Sequence, residues 1–277
     1  MIYITVAMYY EAKPFISKLA LKRDNDIKRF QVFKNNEVAL IISGVGVMAS
    51  SIATTYLLTK YNANSTDLFI NVGVCGSTDK EIKSGEVFLC HKIINHDSKK
   101  IFYPDMLFRH PFKEGVLESF SKVVTKDMLE DVKGDLVDME GAAAYEAAST
   151  FLPPHQINCI KIVSDFLEPD NIKPEEVEHI VNKNTDIIIR WILSRHKAIT
   201  PKRSILTDEE KNVLQQISEN LKLSTTMNHQ LIQLAKMYKI REGNLLEVVK
   251  PLISLKCESK REGKSYFAKL KEQLMEF

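Results

Sequence analysis

The chain has 277 residues, of which 44% are hydrophobic and 27% charged, with a formal net charge of +2. This balance excludes a disordered or collagen-like chain, and the longest apolar runs, VALIISGVGVM and DIIIRWIL, fall well short of the roughly 20 residues that cross a bilayer. The length fits one large α/β domain, or one such domain plus a small appendage, and the near-neutral charge says nothing about an acidic partner for the molecule as a whole.

In chain order, IYITVAM reads as a strand and gives way to a helical pattern from Glu11 to Leu19. No basic n-region or cleavage site stands before it, so a cytoplasmic location and no membrane partner are expected. KRFQVFKNNEVALIISGVG contains two strand-like runs around Asn35 and Asn36, a pair that tolerates a tight turn, and reads as a hairpin ending at Ser43 and Gly44. A helix follows from Val47 to Tyr61. DLFINVG, EVFLCHKIIN and NCIKIVSD supply three further strands, with helix signals after Met139 and after Pro174.

Strands alternating with helices predict an α/β fold with a mixed, mostly parallel central sheet flanked by helices, over residues 1–196. After Lys197 the strand signal disappears. Thr207 followed by Asp208, Glu209 and Glu210 reads as a helix start, with breaks expected at 222–226 and 241–244, an interruption at Pro251, and a final amphipathic helix. Residues 197–277 are therefore expected to form a small all-α segment. Its fifteen Lys or Arg against ten Asp or Glu are interleaved, as on a solvated helical face, and a role as an oligomerisation or protein-docking module is the sharper alternative.

The four cysteines, Cys75, Cys90, Cys159 and Cys257, show no CxxC pairing, and three lie in apolar strand-like runs where a buried thiol is ordinary. His91, His96 and His110 match no familiar metal-binding spacing. No metal and no cofactor are implied.

In a parallel sheet, ligands bind beyond the carboxyl ends of the strands. Those ends deliver Glu11 just inside the first helix, Ser43 and Gly44 in the turn of the hairpin's second strand, the stretch from Gly73 through Val74 and Cys75 to Gly76, and Ser164 with Asp165. In LVDMEGAAAYEAASTFL, Met139 and Glu140 precede a run of small residues at a helix start, which lets backbone approach a ligand closely.

Five segments in order, AMYYEAKPF, SGVGVMASSIATTYLL, INVGVCGSTDKEIKSGEVFL, VDMEGAAAYEAA and IKIVSDF, resemble the purine nucleoside phosphorylase and nucleosidase superfamily. Within it the chain looks most like the 5′-methylthioadenosine/S-adenosylhomocysteine nucleosidases. The resemblance covers about residues 1–195 and implies hydrolysis of the N-glycosidic bond of a purine ribonucleoside, in a homodimer whose second copy helps close the pocket. It implies Glu11 as the acid that activates water, Asp165 as the proton donor to the base, and Met139 and Glu140 against the ribose. It also places Ser43, Gly44, Val74, Cys75, Gly76 and Ser164 around the substrate. The chemistry asks for these types independently, because a ribosyl bond breaks with positive charge on the sugar and negative charge on the base. For its part Asp165 must hold a proton near neutral pH, which requires desolvation or a like-charged neighbour.

Three departures stand out. Neither AMYYEAK nor SGVGVMASS carries the arginines with which the phosphorylases hold phosphate, and Lys13 is the only cation there, which favours water as the acceptor. The family's Ser-Ala-Gly reads Val74, Cys75, Gly76, losing a hydroxyl near the water. Finally, the stretch between His91 and Asp138 is short and lacks the usual base-positioning segment, with SKVVTKDML in its place after a loop carrying Phe102, Tyr103, Phe108 and Phe112. The MEGAA spelling also resembles futalosine-type hydrolases, a substrate variant. The alternatives are a phosphate-dependent phosphorylase and a nucleoside-binding regulatory protein with little turnover.

Overall fold

The computed structural model describes residues 1–168, 173–199 and 205–275. The chain divides into two compact units, Met1–Thr200 and Pro201–Phe277.

The first unit opens with β1 (Ile2–Val6), every residue of which is buried, as expected for a strand covered on both faces. After α1 (Tyr9–Lys18) come β2 (Lys22–Arg23), β3 (Gln31–Lys34) and β4 (Val38–Ile42). The β3–β4 turn closes as the asparagines suggest. The Asn35 side-chain oxygen accepts from the N–H groups of Glu37 and Val38 at 2.9 and 2.8 Å. Next follow α2 (Val47–Lys60), β5 (Leu68–Ser77), β6 (Val87–Asn95), β7 (Ile101–Phe102), β8 (Lys113–Ser119), β9 (Leu136–Asp138), α3 (Gly141–Ser149), β10 (Ile157–Asp165) and α4 (Pro174–Ile199).

The sheet is mixed. β4, β1, β5 and β10 lie side by side in parallel, while β10 pairs with β6 and β3 with β4 in antiparallel fashion. Beyond β6, strands β8 and β9 add in parallel, and β9 returns to pair with Gly76 and Ser77 at the end of β5. Neither β8 nor β9 stands out in the sequence. KEGVLES carries three charged residues in seven and LVD is only three long, so no apolar alternation announces them.

Two apolar layers cover the sheet. On one side Ala53, Leu57 and Leu58 of α2 join Ala142, Ala144 and Ala148 of α3, and on the other Ala12 and Phe15 of α1 join Val181, Ile188 and Ile192 of α4. The alanine face of α3 permits the close α2–α3 approach, since a helix without long side chains can sit near its neighbour.

The second unit contains α5 (Asp208–Asn220), α6 (Thr225–Glu242), the short α7 (Leu245–Val249) and α8 (Lys260–Met275). Thr207 caps α5 with Glu210 answering as a capping box. The breaks after α5 and at Gly243 fall where the sequence places them, and Pro251 lies in a 3₁₀ turn at Lys250–Leu252. Leu214, Ile217, Leu231, Leu245, Phe267 and Leu270 belong to its own apolar core. Among the described residues no helix is long and apolar enough to cross a membrane.

Candidate active site

The carboxyl ends of the parallel strands converge on a cavity of about 220 Å3, to which the turn after β1 contributes Ala7 and Met8, and α1 contributes Glu11. Val74, Cys75 and Gly76 come from β5, Asp138 from β9, Met139 and Glu140 from the entry to α3, and Ser164 and Asp165 from β10. Val45, Val123, Val124 and Val137 complete the wall.

Glu11 is buried, and its two oxygens accept from the N–H groups of Met8 and Val74, both at 2.8 Å. Burial raises its pKa above the ordinary carboxylate value, while these N–H groups and the nearby Lys161 charge pull the other way. Each oxygen keeps a further lone pair for a water in the cavity.

Glu140 sits where the turn after β4 meets α3. Its Oε1 accepts from the Gly46 N–H at 2.7 Å. Gly46 adopts φ +104°, a conformation that only glycine takes at little cost, so the turn depends on it to aim this N–H. Burial first, and then the charge of Asp138, push Glu140 up to about 7.

Asp165 is oriented by its neighbours. Its Oδ2 accepts from the Ser164 hydroxyl at 2.7 Å and its Oδ1 from the Glu168 N–H at 3.3 Å. The Ser164 hydroxyl also lies 3.1 Å from the Cys75 carbonyl, which fixes it against β5.

Behind the cavity stands a group that sequence reasoning overlooked. Lys161 on β10 is buried, and its ammonium meets Asp138 Oδ2 at 2.7 Å. Burial alone would lower its pKa, but the carboxylate of Asp138, with Cys159 and Glu140, holds it well above the ordinary lysine value. A β-carbon at Gly73 would lie 2.9 Å from Glu11 Oε1 and 3.5 Å from Lys161 Nζ. The strand is bare there, which leaves room for both side chains beside it. Asp138 is fixed in turn by the Gly141 N–H at 2.7 Å and by the Ser119 hydroxyl. The available signal was a lone lysine in an otherwise apolar strand, NCIKIVSD, where an unpaired charge would cost several kcal/mol.

Of the residues singled out from sequence, Glu11, Val74, Cys75, Gly76, Met139, Glu140, Ser164 and Asp165 line the cavity. Ser43 and Gly44 do not. The Ser43 hydroxyl points to the carbonyls of Val6 and Gly44, and the same turn offers Val45 to the wall and the Gly46 N–H to Glu140 instead. The aromatic loop also lies elsewhere. Phe102 packs on Tyr145, Phe112 on Trp191, and Phe108 lies under the Arg195 guanidinium. From this region it is the SKVVTKDML stretch, standing where the family's base-positioning segment would be, that reaches the cavity, through Val123 and Val124.

Residues 2–120 match the family model of the phosphorylase superfamily. A 5′-methylthioadenosine/S-adenosylhomocysteine nucleosidase of Tolumonas auensis is 40% identical over 62 residues, 22% of this chain and 26% of that protein. One of Staphylococcus aureus is 27% identical over 105 residues, 35% of this chain and 45% of that protein. The chain thus spans less than half the length of these curated relatives. Among solved structures, the Helicobacter pylori nucleosidase holding 5′-methylthioadenosine superposes with a TM-score of 0.60 at 17% identity, covering 70% of this chain and 98% of that one. The Streptococcus pneumoniae enzyme with a transition-state inhibitor gives 0.58 at 19%, covering 69% and 97%. The chain therefore resembles the 5′-methylthioadenosine/S-adenosylhomocysteine nucleosidases, and its α/β unit has their fold.

Proposed function

We propose that the protein hydrolyses the N-glycosidic bond of a purine ribonucleoside of the 5′-methylthioadenosine or S-adenosylhomocysteine kind. The observation that carries this reading is the convergence of Glu11, Glu140 and Asp165 on one cavity from three separate strand ends. Glu11, buried and held at both oxygens, takes a proton from the attacking water. Asp165 donates a proton to the departing base. Glu140 accepts from the ribose hydroxyls, and its charge favours the cationic sugar of the transition state. Met139 packs against the ribose.

Water is the better acceptor than phosphate here. The cavity presents the acidic side chains of Glu11 and Glu140, and the adjacent ammonium of Lys161 is already engaged by Asp138. A phosphate dianion would meet net repulsion. We further propose a homodimeric, cytoplasmic enzyme, and residues 197–277 as a module for a protein partner.

The test is incubation with 5′-methylthioadenosine, S-adenosylhomocysteine and futalosine, with and without phosphate, and chromatography of the products. Free base and free sugar, formed at equal rates in both buffers, are the expected result. Ribose 1-phosphate that appears only with phosphate would select a phosphorylase. Tight binding of these nucleosides with no base released from any of them would select a binding protein.

Glu140 makes the reaction pH-dependent. It must be ionised to accept from both hydroxyls, so kcat/KM is expected to rise with one ionisation centred at about 7, the value for the free protein. Stability moves the opposite way. Between the ordinary value of 4.5 and about 7 the folded state holds a proton that the unfolded state has lost. Stability therefore falls as pH rises through that window, by roughly 3 kcal/mol in total for a shift of this size. Glu140→Gln, which keeps an acceptor for Gly46, is expected to be more stable than the wild type in urea at pH 8 and equal to it at pH 4.5. It is also expected to lose base release. Equal stability at pH 8 would count against a raised Glu140.

A further inference from the structure

β8 carries one buried acid that the proposed chemistry does not use. Glu118 is 1% exposed and lies opposite Ile94 of β6 and Val137 of β9. A carboxylate so placed is costly unless donors meet it on all sides. Three do. The imidazole Nδ1 of His96 lies 2.7 Å from Oε1, and Oε2 accepts from the N–H groups of Lys133 and Gly134, the latter at 3.0 Å.

These donors come from two places that bound one stretch of chain. Segment 120–134 connects β8 to β9 and carries Val123 and Val124 to the cavity wall. At its start, Phe120 stacks on His96 with ring centroids 4.0 Å apart and packs with Val124, Val137 and Leu167. At its end, Gly134 lies so close that a β-carbon there would sit 2.9 Å from both the backbone nitrogen and the Cβ of Glu118. One carboxylate thus fixes the ring that seats the entry and the backbone that forms the exit. Between the two, turns at Thr125–Met128 and Leu129–Val132, a 3₁₀ stretch at Lys126–Asp131 and a Thr125–Asp127 hydrogen bond hold the segment to itself, Met128 and Val132 pack on the Phe120 cluster, and Lys126 pairs with Glu168 at the surface.

We propose that Glu118, acting through His96 and the Lys133–Gly134 backbone, is a positioning residue for the base-side wall of the cavity. It holds Val123 and Val124 in the wall of the cavity that Asp165 also lines, so that a purine bound there is confined with the proton donor. This rests on the nucleosidase reading of the site. The substrate contact is made by the valines, and Glu118 itself touches no ligand. Its effect therefore falls on affinity, because the wall meets the base in ground state and transition state alike.

The test compares Glu118→Leu and Glu118→Gln with the wild type on 5′-methylthioadenosine. Glutamine keeps an oxygen for the Lys133 and Gly134 N–H groups and an amide to donate to His96, whereas leucine keeps neither. Glu118→Leu is expected to raise KM about tenfold or more with kcat changed less than about threefold, the pattern of lost uniform binding, and Glu118→Gln to restore KM. Amide hydrogen exchange provides a readout without turnover. In Glu118→Leu, exchange should accelerate across 121–134 while the amides of β1 and β5 keep wild-type protection. Unchanged KM and unchanged exchange overturn the proposal, as does equal impairment of both variants or faster exchange throughout the unit. If the wild type releases no base, the nucleosidase reading falls instead, and the exchange pattern alone decides whether Glu118 holds the segment.

Discussion

Asp165→Asn is expected to lower kcat for base release by about 10²- to 10⁴-fold, the usual contribution of a positioned general acid. Asparagine has the same shape and keeps an acceptor for the Ser164 hydroxyl, which lies 2.7 Å away, so the pocket should survive and nucleoside binding should change little. What is lost is the transferable proton. Calorimetric titration separates the two effects by measuring binding while turnover is nearly absent.

The proton-donor role has a sharper signature than loss of rate. A ribosyl substrate whose leaving group needs no protonation, such as a p-nitrophenyl riboside, should be cleaved by Asp165→Asn at close to the wild-type rate. Glu11→Gln should be impaired on both substrates, because its part is with water. If Asp165→Asn is equally slow on both, Asp165 has some task other than protonating the base.

Lys161→Met should cost about 3–5 kcal/mol of stability, the range for removing one partner from a buried ion pair. The ammonium meets Asp138 Oδ2 at 2.7 Å, and both side chains are 1% exposed. Without it Asp138 becomes an uncompensated buried carboxylate at a cavity that Glu11 and Glu140 also line, and its charge meets no opposite partner. Glu140 would move further above about 7, and the acid limb of kcat/KM would shift with it. Base release at pH 7 is therefore expected to fall in any protein that still folds. Urea unfolding measures the first effect and a pH profile the second.

Adding Asp138→Asn to Lys161→Met removes the stranded charge and should recover most of the stability, since neighbouring changes of this kind are strongly non-additive. Activity should stay low, because no cation then stands beside Glu11. A loss below about 1 kcal/mol for Lys161→Met alone would show that the pair is nearly neutral to folding.

The two residue classes behind these expectations differ in how they could be found. Glu11, Glu140 and Asp165 were legible because each follows a strand or opens a helix in a local pattern, and in a parallel sheet those points share one edge. The alternation of strands and helices, the hairpin at Asn35 and the capping box at Thr207 were legible for the same reason, since each depends on neighbours within a few residues. Lys161 was not. Its burial is tolerable because Asp138 at the end of β9 meets its ammonium, and nothing within NCIKIVSD announces that partner.

The sequence by itself determined the alternating α/β plan, the helical character of the carboxy-terminal part and the three acids at the strand ends. Only the tertiary structure decided how β8 and β9 add to the sheet and bring β9 to the end of β5, that the Gly46 N–H serves Glu140 while Ser43 stands off the cavity, and that Val123 and Val124 wall it. The physical reason is range. Periodicity, turns and caps are settled between residues close in the chain, whereas the partner that makes a buried charge affordable and the segment that closes a cavity come from distant residues, fixed when the strands pair.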